Sequence, residues 1–197
     1  MAVAPDPATV HPVPMTRVLL VSGSVRDGST NTAVLRTVQA IAPSDVETVL
    51  YDGILELPHF NPDDDAEGAQ VPEAVAQMRA AMQSADALLI CTPEYAGAMP
   101  AVLKNLLEWT IGDASTYRKP VAWINASSPA APTGGADAHA SLEKVLRYAH
   151  AEIVSNACIR LELTRQQVGE SGLIADEAAK RAMGDALAAL VARAPTG

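Results

Sequence analysis

Arg17-Val18-Leu19-Leu20-Val21-Ser22-Gly23-Ser24-Val25-Arg26-Asp27-Gly28-Ser29-Thr30-Asn31 is the stretch on which the fold turns. Residues 17–21 form a short apolar run, and Ser22, Gly23 and Ser24 break it as a turn breaks a buried strand. From Asn31 the period changes. Val34, Leu35, Val38 and Ile41 recur at helical spacing, and Pro43 stops the pattern. A strand, a glycine- and hydroxyl-rich loop and a helix therefore follow in order. Unsatisfied N–H groups at such a helix start, together with the helix dipole, attract an anion. Ser24, Ser29, Thr30 and Asn31 add donors, and Arg26 adds a planar fork suited to phosphate. A nucleoside-triphosphate loop needs Lys where this chain has Ser29, and the dinucleotide fingerprint needs a glycine that Ser24 to Asp27 lack. Two readings remain: a site for one terminal phosphate monoester, or a hydroxyl-rich turn that only caps the helix.

The rest of the chain repeats this alternation. Residues 46–51 read as a second strand, followed by a Pro-, Asn- and Asp-rich loop whose run Asp63-Asp64-Asp65 is a solvated surface. Pro72 opens a helix to about Ser84. Residues 87–91 form an apolar strand. Met99, Val102, Leu103, Leu106, Leu107 and Thr110 share one helical face, with core packing and an oligomer interface both open for Met99 and Leu103. Residues 120–125 are the fourth strand. Leu142, Val145, Leu146 and Ala149 mark a fourth helix, on which His139 and His150 are also expected. Residues 153–161 read as a last strand interrupted at Asn156, and Asp176 caps a helix reaching about Arg193.

Strands apolar throughout, rather than alternating, imply a sheet covered on both faces. Right-handed crossovers then predict an α/β fold: a flavodoxin-like, doubly wound, five-stranded parallel sheet of order 2-1-3-4-5 with helices on both faces. In that order ligands bind at the carboxyl ends of strands 1 and 3. The loop after strand 3 is Thr92-Pro93-Glu94-Tyr95-Ala96-Gly97. Pro93 ends the strand, small Ala96 and Gly97 let a flat ligand approach the backbone, and Tyr95 offers a ring face or hydroxyl. The same residues also suit an ordinary strand-to-helix turn, and this loop alone leaves the two readings even.

Composition bounds these readings. The 197 residues carry 14 Lys and Arg against 23 Asp and Glu, a net charge of -9 that argues against nucleic acid as partner. No uninterrupted apolar run approaches a membrane span, and the two cysteines, Cys91 and Cys158, make no disulfide framework. Residues 1–16, with Pro5, Pro7, Pro12 and Pro14, read as a disordered Pro- and Ala-rich leader without the apolar core of a secretory signal. Met15 is a candidate alternative start, residues 17–197 are expected to be one domain, and cytoplasmic residence is expected. No metal site is expected at His139 or His150, which lack a Cys or acidic partner at ligand spacing. Cys91 reads as inert core, and His59 with Phe60 as the edge of a substrate site or of a dimer contact.

Taken together, the loops resemble the NAD(P)H-dependent FMN reductase family of flavodoxin-like quinone and chromate reductases. The chain matches that family's Gly-Ser-x-Arg-x-x-Ser-x-Asn pattern with Gly23, Ser24, Arg26, Ser29 and Asn31. It matches Pro-Glu-Tyr-Asn-Gly with Pro93, Glu94, Tyr95 and Gly97, and the following Leu-Lys-Asn-x-Leu-Asp-Trp with Leu103, Lys104, Asn105, Leu107 and Trp109. Leu57, Pro58, Phe60, Asn61 and Asp63 match a further run after strand 2. The resemblance implies non-covalent FMN, its phosphate on Ser24, Arg26, Ser29 and Asn31 and its ring along residues 93–97, with Ser127 and Ser128 as further neighbours. It implies a homodimer or homotetramer with the flavin near a subunit interface. NADH or NADPH would pass a hydride through flavin N5 to a quinone, free flavin or similar small acceptor. The cofactor carries this chemistry, so no catalytic side chain is required. Two departures stand out: Ala96 replaces the usual Asn, and Asp137 replaces the Arg of a Gly-Gly-x-Arg run. The competing readings are a flavodoxin-like electron carrier, which few aromatics and Arg26 argue against, and a non-enzymatic flavin-binding protein.

Overall fold

Strand and helix alternate along the chain: β1 (Thr16–Ser22), α1 (Thr30–Ile41), β2 (Val46–Tyr51), α2 (Glu73–Gln83), β3 (Ala87–Thr92) and α3 (Ala101–Trp109). Then follow β4 (Pro120–Ser127), α4 (Ala136–Tyr148), β5 (Glu152–Ile153), β6 (Ile159–Glu162) and α5 (Glu177–Val191). The computed structural model describes residues 15–128 and 131–195. The expected leader therefore lies outside the described residues up to position 14, and β1 starts one residue before the expected Arg17, with Thr16 paired to Val46.

The sheet is parallel, with order β2-β1-β3-β4-β5. Its fifth position is divided. β5 pairs with Pro120 and Val121 of β4, a 3-10 turn at Ser155–Ala157 interrupts the pairing, and β6 rejoins β4 at Ile124–Ser127. The expected interruption at Asn156 is this turn, and it makes a sixth strand out of the expected last one.

The apolar strands are buried on both faces because each face has its own core. Val18, Leu20, Leu89, Cys91 and Ile124 pack with α1 and α5, while Leu19, Val21, Leu88, Ile90 and Trp123 pack with α2, α3 and α4. Burying side chains of this size contributes about 1.5–3 kcal/mol each. Met99 and Leu103 belong to the second core, so the packing alternative holds for both. Helix starts follow local chemistry: Ser29 Oγ accepts from Thr32 N at 3.4 Å, and Asp176 Oδ1 from Ala179 N at 2.7 Å.

One placement differs from expectation. His150 is not on α4, which ends at Tyr148. It sits beyond the helix with φ 55, its N–H donating to Arg147 O at 3.1 Å while Ala151 N donates to Leu146 O at 3.0 Å. These paired bonds close the helix as a glycine usually does, and the apolar spacing of α4 gave no signal of them.

The loop after β2 and helix α3, which both carry parts of the family pattern, bind each other. Trp109 Nε1 and Asn105 Nδ2 both donate to Pro58 O at 2.9 Å, and Phe60 N donates to Asn105 Oδ1 at 2.8 Å. Phe60 also meets Trp109 edge-on at 5.0 Å. Phe60 is thus a packing residue, whereas His59 remains exposed. Among the described residues no helix is long and apolar enough to cross a membrane.

Candidate functional site

The carboxyl ends of β1, β3 and β4 meet at a cavity of about 440 Å³, a size typical of small-molecule sites. Its wall holds Ser24, Arg26, Ser29, Thr30 and Asn31 from the first loop. Pro93, Glu94 and Tyr95 come from the second, and Ser127 and Ser128 from the end of β4. Every expected site residue is there except Ala96 and Gly97. Those two form the tip of a tight turn beside the wall, with φ 50 and 70, closed by Tyr95 N to Ala98 O at 2.9 Å and Ala98 N to Tyr95 O at 3.1 Å. Asn tolerates this left-handed backbone far better than Ala does, so Ala96 carries a local cost of about 1 kcal/mol.

Close packing fixes the course of the first loop along the cavity wall. Gly23 N donates to Cys91 O at 2.8 Å, and a Cβ on Gly23 would stand 2.9 Å from Thr92 Oγ1, so only glycine lets the two loops approach. Ser24 N donates to Ser22 Oγ at 3.2 Å, and Ser22 Oγ lies 3.0 Å from Thr32 Oγ1. Ser24 is buried, yet its hydroxyl has no partner among the described residues. Asn31 is oriented by its neighbour: Cys91 Sγ donates to Asn31 Oδ1 at 3.3 Å, leaving the Nδ2 donors for the cavity. Cys91 is fully buried, and burial pushes its thiol well above the ordinary range. It is a neutral donor, not a nucleophile.

Glu94 lines the cavity and also binds the start of α4. Its carboxylate accepts Thr133 Oγ1 at 2.6 Å, Asp137 N at 3.0 Å and Ala138 N at 3.1 Å, capping α4. The Thr133 hydroxyl first, then the two backbone N–H groups, hold this carboxyl below its usual range. Glu94 therefore ties the second loop to α4 while also lining the cavity. Behind it, Asn125 Nδ2 donates to Thr92 O at 2.7 Å. Gly135, at φ 85, packs so closely that a Cβ would fall 1.9 Å from Asn125 Oδ1.

Two arginines were missed in the sequence. Arg160, on β6, donates to Thr133 O at 3.5 Å, bringing a cation to the loop where Asp137 replaced one. Arg165, in a 3-10 turn at Arg165–Gln167, lines the cavity, and a Cβ on Gly28 would stand 2.7 Å from its Nη2. Neither belongs to a recognisable motif; they reach the site only because β6 lies beside β4.

The donor set fits FMN. Hydroxyls, an amide, a helix start and arginines at one end suit a phosphate, while Pro93, the half-exposed Tyr95 and the β4 serines border a wider, less charged end suited to a flat ring. Among the described residues no group of His, Cys, Asp and Glu could hold a metal ion.

Comparison with known proteins agrees with this geometry. Residues 16–162 match the model of the NADPH-dependent FMN reductase family. The chain is 31% identical over 176 residues to the NAD(P)H-dependent FMN reductase PA1204 of Pseudomonas aeruginosa, covering 88% of this chain and 92% of that one. It is 30% identical over 141 residues to a quinone reductase of Escherichia coli, covering 71% and 73% respectively. Among solved structures, FerB, a flavoenzyme NAD(P)H:(acceptor) oxidoreductase from Paracoccus denitrificans, superposes with TM-score 0.76 at 29% identity, over 89% of this chain and 96% of that one. The chain belongs to the NADPH-dependent FMN reductase family.

Proposed function

We propose that the protein binds FMN in the cavity between its first and third strands and passes electrons from NADH or NADPH to a quinone, free flavin or similar small acceptor. Bound FMN supplies the chemistry: hydride acceptance at N5 and electron donation to the second substrate. The observation that carries the reading is the convergence of unpartnered donors. Ser24 Oγ, Asn31 Nδ2 and Arg26, none with a partner among the described residues, share one wall of the cavity.

The chain's own part is to bind and orient. Ser24, Arg26, Ser29, Thr30 and Asn31 hold the phosphate, and the Cys91 thiol keeps the Asn31 amide turned the right way. The turn at residues 93–97, with Tyr95, would lie along the ring, and Ser127 and Ser128 would border its other edge. Glu94 is ionised and committed to α4, so it is no proton donor to a substrate.

The assembly is read as a homodimer or homotetramer. Tyr95, Val25 and Leu55 are 49%, 43% and 66% exposed around the two loops, an apolar rim that a neighbouring subunit or a substrate would cover. Free Cys91 and Cys158 suit a reducing, cytoplasmic setting. One folded domain from residue 17 onward accounts for both cores.

The test is direct. Purified protein with FMN should show a flavin spectrum and oxidise NADH or NADPH with a benzoquinone, giving parallel-line kinetics. Protein that stays colourless and takes up no added FMN would refute the reading. FMN binding without turnover on either nicotinamide would move it to the electron-carrier or flavin-binding class.

A further inference from the structure

We infer that Arg165 is a second guanidinium of the anion site, closing over the first loop and making the cavity select a phosphate monoester over the same ligand without its phosphate. The inference rests on the FMN reading above and adds a residue to it. The family model ends at residue 162, so nothing in that match covers Arg165.

The geometry is specific. Arg165 and Arg26 line the same cavity, and neither has a hydrogen-bond or ion-pair partner among the described residues, in a chain with 23 acids against 14 bases. A guanidinium left unpaired in so acidic a protein, beside buried Ser24 and Asn31 whose donors also lack partners, is placed for an anion. Its backbone is pinned to the wall. Leu163 N donates to Ser127 O at 2.9 Å, and Gln167 Oε1 accepts from Thr164 N at 2.8 Å and Thr164 Oγ1 at 3.2 Å. Room for the side chain comes from Gly28, whose left-handed φ of 62 and missing Cβ let Nη2 lie against the loop. The two arginines approach from separate parts of the chain, so a phosphate between them would be bridged rather than held from one side. Because Arg165 is exposed, salt should screen its contribution, and the effect expected is about tenfold rather than larger.

The experiment compares wild type, Arg165→Met and Arg165→Lys as full chains. FMN and riboflavin are titrated by flavin fluorescence at low and high salt, and inorganic phosphate is titrated by thermal shift. Arg165→Met should weaken FMN about tenfold, leave riboflavin unchanged, flatten the salt dependence and reduce stabilisation by phosphate. Arg165→Lys should recover part of the FMN affinity. Unchanged FMN affinity in Arg165→Met, or equal losses for FMN and riboflavin, would overturn the inference, the latter showing that Arg165 only shapes the wall. If wild type binds neither flavin, the proposed function fails and the phosphate arm decides alone. Phosphate stabilisation lost in Arg165→Met sustains the inference; stabilisation equal in both, or absent from wild type, overturns it.

Discussion

At the scale of single residues, the proposed site rests on a side chain behind the cavity wall. Cys91 is fully buried on β3, and its thiol donates to Asn31 Oδ1. Without that donor the amide has no reason to keep its nitrogen toward the cavity, and a flipped Asn31 would set an acceptor oxygen against a phosphate. Cys91→Ala should therefore weaken FMN binding by about three- to tenfold, the range of one neutral hydrogen bond. The new cavity should also cost stability, by about 1–2 kcal/mol. Cys91→Ser restores a donor, and a flavin titration should show most of the affinity return even if the melting temperature does not. A Cys91→Ser affinity as low as that of Cys91→Ala would mean that the thiol acts through packing alone. The presence of Cys91 beside the second loop was legible, but its bond to a residue 60 positions away was not, because only the register of β1 against β3 brings them together.

At the scale of elements, the loop after β3 is tied to the start of α4. Glu94 reaches from the end of β3 to the first turn of α4, where Thr133 Oγ1, Asp137 N and Ala138 N converge on a carboxylate at the positive end of the helix. Glu94→Ala removes this cap and should cost about 1 kcal/mol in urea unfolding. Amide exchange should speed up first at Asp137 and Ala138. Glu94→Gln keeps an acceptor for Thr133 and should recover part of both. Equal exchange rates at those amides in Glu94→Ala and wild type would remove the cap from the account. The far side of the molecule uses a similar clasp: Arg79, largely buried, bonds Asp65 Oδ1 at 2.7 Å and Trp109 O at 2.7 Å, so one residue of the acidic run is structural, not merely solvated. Strand and helix alternation, the order of the sheet and most of the cavity wall could be read from local patterns, because apolar runs and turn residues report their own element. The role of Glu94, the split last strand and the arginines of β6 and the following turn could not. Each is decided by which elements become neighbours, and no periodicity encodes that.

At the scale of the whole molecule, a net charge of -9 is compatible with the proposed anion site because two arginines without partners among the described residues, Arg26 and Arg165, stand on one cavity wall. Acid should nevertheless threaten the fold through one half-buried base. His139, in the first turn of α4, stacks edge-on against Trp123 at 5.6 Å, and its Nε2 is buried without a partner among the described residues. Burial first, then the nearby Arg160, pushes its pKa down from 6.5 to about 4; a bond to the Ile159 backbone and the Glu143 and Glu94 carboxylates oppose this. Between those two values the unfolded chain holds a proton on His139 that the folded chain refuses. Stability is therefore intact above pH 6.5, falls as pH drops through the window from 6.5 to about 4, and levels off below it. Discounted for the part of the ring that solvent screens, the loss is about 1–2 kcal/mol. As pH falls below the ordinary 4.5 of a Glu carboxyl, the Glu94 cap adds a second loss that overlaps the end of this window and grows until the folded carboxylate protonates. Urea midpoints measured from pH 7.5 to 4 should decline in wild type and stay flatter in His139→Gln, which keeps a polar ring-sized neighbour but no titrating nitrogen. Parallel pH profiles for the two proteins would show that the acid sensitivity of the α4 end lies elsewhere.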